Sequence, residues 1–266
     1  FLPLYEAKSI QAYDHRAASI VIKDENWMRQ GQPQKTWEVQ YQDPEFSINP
    51  RWFVSKATVD RVMKNDTQSS YIAYKEITSP TNIRTMIASF IPHIAVVNTA
   101  PLILKGEDIS KELECCLLAN LNSHILDFVA KQKVGGVHLS YYIIEQLPIL
   151  SPDFYRQECP WDKRVILGNW ISERVLKLSC TSNDMIHLAE ETGFKPKVHK
   201  WDIVERKDLM AQLDAAYFHF YNIDRETTEY ILSTFSKIDE QSTSVFETES
   251  AKDKILRWYD FIKDNS

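Results

Sequence analysis

Glycine is scarce, with six residues in 266, and none stands in a phosphate-cradling pattern. The chain has no Gly-x-Gly-x-x-Gly and no Gly-Lys-Ser/Thr, which excludes the dinucleotide-binding and P-loop types of nucleotide site. Cysteine is scarcer still. Cys115, Cys116, Cys159 and Cys180 show no Cys-x-x-Cys spacing and no clustered histidines, so no metal site is expected. Cys115 and Cys116, inside a helical pattern, read as small buried residues, and the cysteine usage fits a reduced, intracellular protein. No apolar run approaches the roughly 18 residues of a membrane-spanning helix, and no secretory signal is recognisable. The expectation is a cytoplasmic protein with no membrane partner. Positive charge is not in excess either: 31 Lys and Arg against 37 Asp and Glu leave a net charge of −6. That excludes a chain-wide nucleic-acid coat, whereas screening over about 8–10 Å permits a local basic groove.

The hydrophobic share of 44% suits an ordinary globular core, in one large domain or two smaller ones. The chain opens at Phe1 in "FLPLYEAK", in mid-pattern, which points to a piece of a longer polypeptide and leaves room for catalytic machinery upstream. Up to about residue 155 the signals are mixed α/β. "SSYIAYKEIT" and "RTMIASFIP" carry the β-branched and aromatic residues of strands, and "IAVVNTAPLIL" reads as two short strands broken at Asn-Thr. "SKATVDRVMKN" reads as a helix capped by Ser55, with Val59, Val62 and Met63 on one face.

Residues 110 to 133 carry the clearest helical periodicity, with Ser110 as cap and Leu113, Leu117, Leu121 and Ile125 forming an apolar stripe. Lys131 and Lys133 fall in its last turn, and Gly135 is placed to take the left-handed conformation that ends helices. Gly135 and Gly136 thus follow a helix C-terminus, which presents carbonyls and repels phosphate. Ser140 then reads as a cap, leading to an "LPIL" strand. Beyond "LPILSP" the stretches "DKRVILGNWISERVLKLSC", "TSNDMIHLAEETGF", "ERKDLMAQLDAAYFHFYNI" and "DRETTEYILSTF" are all helical, the last capped by Asp224. A mobile loop is expected near 236–250 and a last helix over "AKDKILRWYDFIKDN". The fold class is therefore an α/β (α+β) domain over 1–155 and a mostly α-helical region over 156–266.

Chemistry is thinly marked. No nucleophile stands in an elbow-like context, no Asp…Glu-x-Lys nuclease constellation falls on adjacent strands, and Asp14-His15-Arg16 reads as a salt-bridged turn. The chain is expected to carry no catalysis of its own. A DNA-binding surface is the remaining reading, with Lys8, His15, Arg16, Arg51, Asn82, Arg84, Asn98, Lys131, Lys133 and His138 as donors in or beside loops, set by Gly135 and Gly136. Arg and Lys read guanine or hold phosphates, and Asn reads adenine through two hydrogen bonds. Asn82 and Arg84, at the start of a strand, and the residues around Gly135 lead.

"LPLYEAKSIQAYDHR", "TNIRTMIASFIP", "LLANLNSHILDFVAKQKVGGVHLSYYIIEQLPIL" and "LMAQLDAAYFHFYNIDRETTEYILSTF" occur in this order and cover most of the chain. Together they resemble the C-terminal region of large bacterial adenine-specific DNA methyltransferases of restriction–modification and phage-defence systems, including the type IIG kind. The resemblance implies that residues 1 to about 155 are a target-recognition domain reading double-stranded DNA. The helical tail would pack on it or on an upstream methyltransferase core of the same polypeptide. S-adenosylmethionine is implied for that core and no cofactor for this chain. Two features depart from the family: Asn222 where Tyr-Gly is usual, and the acidic "FETESAKDKIL" where a basic stretch is usual. A protein-docking module that reads no bases is the competing expectation.

Overall fold

The computed structural model describes residues 1–22, 31–63, 68–235 and 249–266. The expected loop at 236–250 falls, apart from Glu249 and Ser250, outside them. In chain order the described elements begin with β1 (Leu2–Tyr5), a 3-10 turn (Ala7–Ser9), β2 (Ala18–Val21), β3 (Gln32–Lys35) and α1 (Glu38–Tyr41). Then come β4 (Trp52–Val54), α2 (Lys56–Met63), β5 (Ser70–Tyr74), β6 (Ala88–Pro92), β7 (Ala95–Val96) and β8 (Leu102–Ile103). The remainder is chiefly helical: α3 (Lys111–Asn122), α4 (His124–Lys133), α5 (Tyr141–Ile144), β9 (Glu158–Cys159), β10 (Asp162–Ile166) and α6 (Leu167–Ser179). α7 (Ile186–Glu191), α8 (Ile203–Phe220), α9 (Arg225–Ser233) and α10 (Ala251–Asn265) complete it. The architecture is thus mixed α/β followed by a mostly helical C-terminal region.

Two compact units share the chain: one of residues 1–77, 87–114 and 176–201, the other of 78–86, 115–175 and 202–266. This division differs from a single cut near residue 155. In the first unit β1 lies between β4, antiparallel to it, and β7, parallel to it. β5 pairs antiparallel with β6 and β8, and β2 with β3. Every residue of β5 and β6 is buried, so both sheet faces are covered. Tyr5, Ile10, Ile48, Tyr71, Ala73, Ile91 and Ile94 pack into one core. Residues 176–201 join this unit because their polar groups satisfy its loops: Asn183 donates its backbone N–H to the Pro44 carbonyl at 3.0 Å.

In the second unit α8 is buried on nearly all sides, the pattern of a central helix. α10 lies along it, with the His219 ring stacked on Tyr259 at 4.0 Å and Trp258 Nε1 donating to Asp208 at 2.8 Å. Burial pulls the His219 imidazole below the usual histidine range. α8 ends in a Schellman turn, with Ile223 N–H on the Phe218 carbonyl and Asn222 at φ 53°. Asn222 therefore meets the same left-handed requirement that a glycine would, because its short polar side chain tolerates that region.

Three of the expected caps are present: Ser55, Ser110 and Asp224 accept hydrogen bonds from the backbone N–H groups of Thr58, Leu113 and Thr227. The fourth, Ser140, precedes α5 but its side chain makes no capping hydrogen bond. Three further expectations are corrected. The single helix over 110–133 is two helices, because Ser123 takes an extended conformation and caps α4 by accepting from the Leu126 N–H. "LPIL" is not a strand: the Leu150 N–H goes to Asn120 Oδ1 at 3.2 Å, and the Pro148 carbonyl to the Tyr221 hydroxyl. "DKRVI" is strand β10, not helix, because the two-residue turn Pro160-Trp161 folds it back on β9. Trp161 anchors that turn on Trp170, ring to ring at 5.0 Å.

Candidate nucleic-acid interface

Lys8, His15, Arg16, Arg51 and Asn98 lie in the first unit. Two of them are structural. Arg16 is completely buried, and its guanidinium donates to the carbonyls of Asp43 (3.1 Å), Phe46 (3.0 Å) and Thr181 (2.9 Å). His15 is buried against Asp184, with Nε2 3.2 Å from the carboxylate and 3.3 Å from the Ser182 hydroxyl. Burial pushes the Asp184 carboxyl up, but His15, Ser182 and Arg16 outweigh it and hold the group down to about 2. Asp14 is also committed, accepting from the Tyr41 hydroxyl at 2.6 Å and the Arg16 N–H at 2.9 Å. The expectation that His15 and Arg16 contact DNA is therefore corrected: both are spent on tying the 11–17 turn to the 43–46 and 181–184 segments. Ser182, His15 and Asp184 do not make a nucleophilic triad, because both partners meet the same ring nitrogen and no alkoxide-forming relay results.

Lys8 donates to the Gly31 carbonyl at 2.9 Å. Arg51 lies over the Trp52 ring at 4.9 Å, next to exposed Trp52 and Phe53 on edge strand β4. Asn98 sits exposed in the turn between β7 and β8.

Asn82, Arg84, Lys131, Lys133, Gly135, Gly136 and His138 lie in the second unit, and here the structure brings sequence-distant candidates together. The loop 78–86 packs on α4 and the segment after it. The Thr78 N–H donates to the Val137 carbonyl at 3.0 Å, and Lys131 Nζ to the Ile83 carbonyl at 3.2 Å. Asp127, fully buried on α4, is the anchor: its carboxylate accepts from Arg84 Nε (2.6 Å), the Thr85 N–H (2.9 Å) and the Met86 N–H (2.8 Å). Arg84 also donates to the Asn122 carbonyl, and its Nη1 lies 3.3 Å from His124 Nε2. His124 Nδ1 in turn is 2.8 Å from Asp214 on α8. Arg84 Nη1 is also 3.5 Å from Nδ1, so the guanidinium lies against the ring rather than along the lone pair of one nitrogen.

Arg84 and Lys131 are consequently clamps, correcting their expected role as base or phosphate donors. Lys131 also lies 4.1 Å above the Phe235 ring, and burial draws its ammonium below the ordinary lysine range, partly offset by Asp127. What remains toward solvent is Asn82 in the loop, Lys133 at the end of α4, and the exposed residues Gly135, Gly136 and His138. Lys133 Nζ reaches Gln146 at 3.3 Å. Sequence reasoning missed Tyr141 and Tyr142, 64% and 74% exposed beside these donors. Their signal was two adjacent aromatics directly after Ser140, a pairing that a single buried helix face cannot accommodate.

The glycines behave differently from expectation. Helix α4 ends on Val134, which is buried and extended (φ −81°, ψ 104°), and Gly135 does not take a left-handed conformation. A Cβ built on Gly135 or Gly136 meets nothing within 4 Å. Gly135→Ala and Gly136→Ala are therefore expected to leave stability unchanged or raise it by about 0.4–1 kcal/mol, by stiffening the unfolded chain. Urea unfolding checks this, and a loss above about 1 kcal/mol would show a backbone need that the geometry does not contain.

No group of three or more His, Cys, Asp or Glu among the described residues is arranged to hold a metal ion. All four cysteines are buried and unbridged, and burial pushes the Cys180 thiol up to about 12. Compared with known protein families, curated proteins and solved structures, the chain matches none.

Proposed function

We propose that this chain is the sequence-specific DNA-recognition region of an adenine-N6 DNA methyltransferase of a restriction–modification or phage-defence system, positioning duplex DNA for an upstream catalytic core. The observation that carries the reading is the two-loop surface of the second unit. A rigidly anchored loop with Asn82 lies beside Lys133, His138 and two exposed tyrosines, the mixture of amide, cation and aromatic that DNA recognition uses. The ordered resemblance of the sequence to the family supports the same reading.

Adenine methylation requires the base to leave the helix for a catalytic pocket. This region would hold the flanking duplex, with cations on phosphates and loop side chains in the major groove. S-adenosylmethionine, as methyl donor, would belong to the core, and no residue of this chain is assigned to it.

Titration of the chain with a duplex at several salt concentrations tests the proposal. Affinity is expected to fall linearly with salt on logarithmic axes, and Lys133→Glu to weaken binding several-fold and reduce the slope by about one phosphate contact. Absence of salt-dependent binding at low ionic strength would sink the proposal. A second reading, a protein-docking module that reads no bases, is favoured by exposed Trp37, Trp52 and Phe53 in the first unit. It predicts that Lys133→Glu changes nothing while substitution at Trp52 abolishes capture of the partner domain.

A further inference from the structure

We infer that Asn82 reads the major-groove edge of an adenine in the recognised duplex, presented by a loop whose conformation is set before DNA arrives. This deepens the DNA-recognition reading and rests on it.

The loop is closed on itself as well as anchored. The Thr78 hydroxyl donates to the Thr85 carbonyl at 2.7 Å, joining the two ends, and the Thr85 hydroxyl donates to the Ser79 carbonyl at 3.2 Å. At the tip Ser79, Pro80, Thr81 and Asn82 form a β-turn, with the Asn82 N–H on the Ser79 carbonyl at 3.1 Å. Pro80 occupies the second position of the turn, where its fixed φ is favoured. The Thr81 N–H is held by the Ser79 hydroxyl at 3.2 Å. Below the turn, Asp127 holds Arg84 and the Thr85 and Met86 amides. Ordering entropy that a flexible loop would lose on binding is therefore already lost on folding.

The long cations beside the loop are unsuited to reading a base or are already engaged, and His138 has an interaction of its own. Arg84 is committed to Asp127, His124 and the Asn122 carbonyl, and Lys131 to the Ile83 carbonyl. Lys133 is a flexible point charge, which suits a phosphate better than a base edge. Thr81 shares its hydroxyl with Ser79 at 2.8 Å. The Asn82 amide is exposed and has no hydrogen-bond partner among the described residues. It offers one acceptor and two donors in a plane. Adenine in the major groove presents a complementary pair, the N6 amine as donor and N7 as acceptor. Guanine presents two acceptors, which a single amide cannot match with its acceptor oxygen also engaged.

Selection of bound sequences from a randomised duplex library, with the wild-type chain and with Asn82→Ala, tests this. Each adenine of the selected duplex is then replaced in turn by 7-deazaadenine, which lacks N7. Because Asn82 is exposed, the alanine variant leaves the folded loop intact. The wild type is expected to show one adenine at which loss of N7 weakens binding roughly 5- to 150-fold. In Asn82→Ala that sensitivity disappears and the position becomes degenerate, with the salt slope unchanged. Retention of the wild-type preference at every position in Asn82→Ala would overturn the assignment of Asn82 while leaving DNA recognition standing. If the wild type selects no sequence at all, base reading falls, and the assignment with it.

Discussion

Replacing Asp127 by alanine is expected to lower the unfolding free energy by about 3–5 kcal/mol, the usual cost of removing one partner of a buried, hydrogen-bonded ion pair. Asp127 is fully buried, and the Arg84 side chain opposite it is 13% exposed, so neither charge is relieved by water. The alanine variant leaves the guanidinium without its carboxylate and the Thr85 and Met86 N–H groups without an acceptor. Asp127→Asn is the informative intermediate. Its carbonyl oxygen can still accept from both amides, but its amine then faces the Arg84 Nε donor. A double replacement, Asp127→Leu with Arg84→Met, should cost less than the two single changes summed, with a coupling above about 1 kcal/mol. Urea midpoints of the four proteins measure it. A single-variant loss under about 1 kcal/mol would mean that the 78–86 loop does not depend on this clamp.

Arg16→Met is expected to cost about 3 kcal/mol or more, for a different reason. Arg16 is not held by a carboxylate. Its guanidinium instead bridges the carbonyls of Asp43, Phe46 and Thr181, and a hydrogen bond to a charged group contributes about 1.5–3 kcal/mol. Arg16→Lys should recover less than half of that, because a single ammonium lacks the planar fork needed to span three acceptors. Thermal or urea unfolding of both variants checks the order. Wild-type stability in the lysine variant would refute the bridging role, as would a loss of DNA affinity with no loss of stability.

These two residues show where sequence reading stops. A long cation in "YDHR" or "NIRT" carries no mark of whether it faces solvent. Arg16 is buried and Arg84 is turned inward because distant main-chain carbonyls and one aspartate need donors, and those partners lie up to 165 residues away along the chain. The same blindness covers "LPIL", whose backbone is claimed by Asn120 and Tyr221 side chains that no local pattern announces. Local signals fared better because their causes are local. Ser55, Ser110 and Asp224 cap helices through N–H groups three residues ahead, a relation that the sequence displays directly. Ser123 does the same, but its signal lay inside an unbroken apolar stripe and was hidden by it.

By itself the sequence determined the alternation of strands and helices in the first part, the helical character of the last, and the starts of several helices. Each of these depends on residues within a few positions of one another. It also confined the candidate contact residues to a handful of loops. Only the tertiary structure decided which of those candidates remain exposed. Burial depends on where separated segments meet, and Asp127 meets the 78–86 loop across more than forty positions of chain. That one buried carboxylate turns Arg84 inward and leaves Asn82 at the tip.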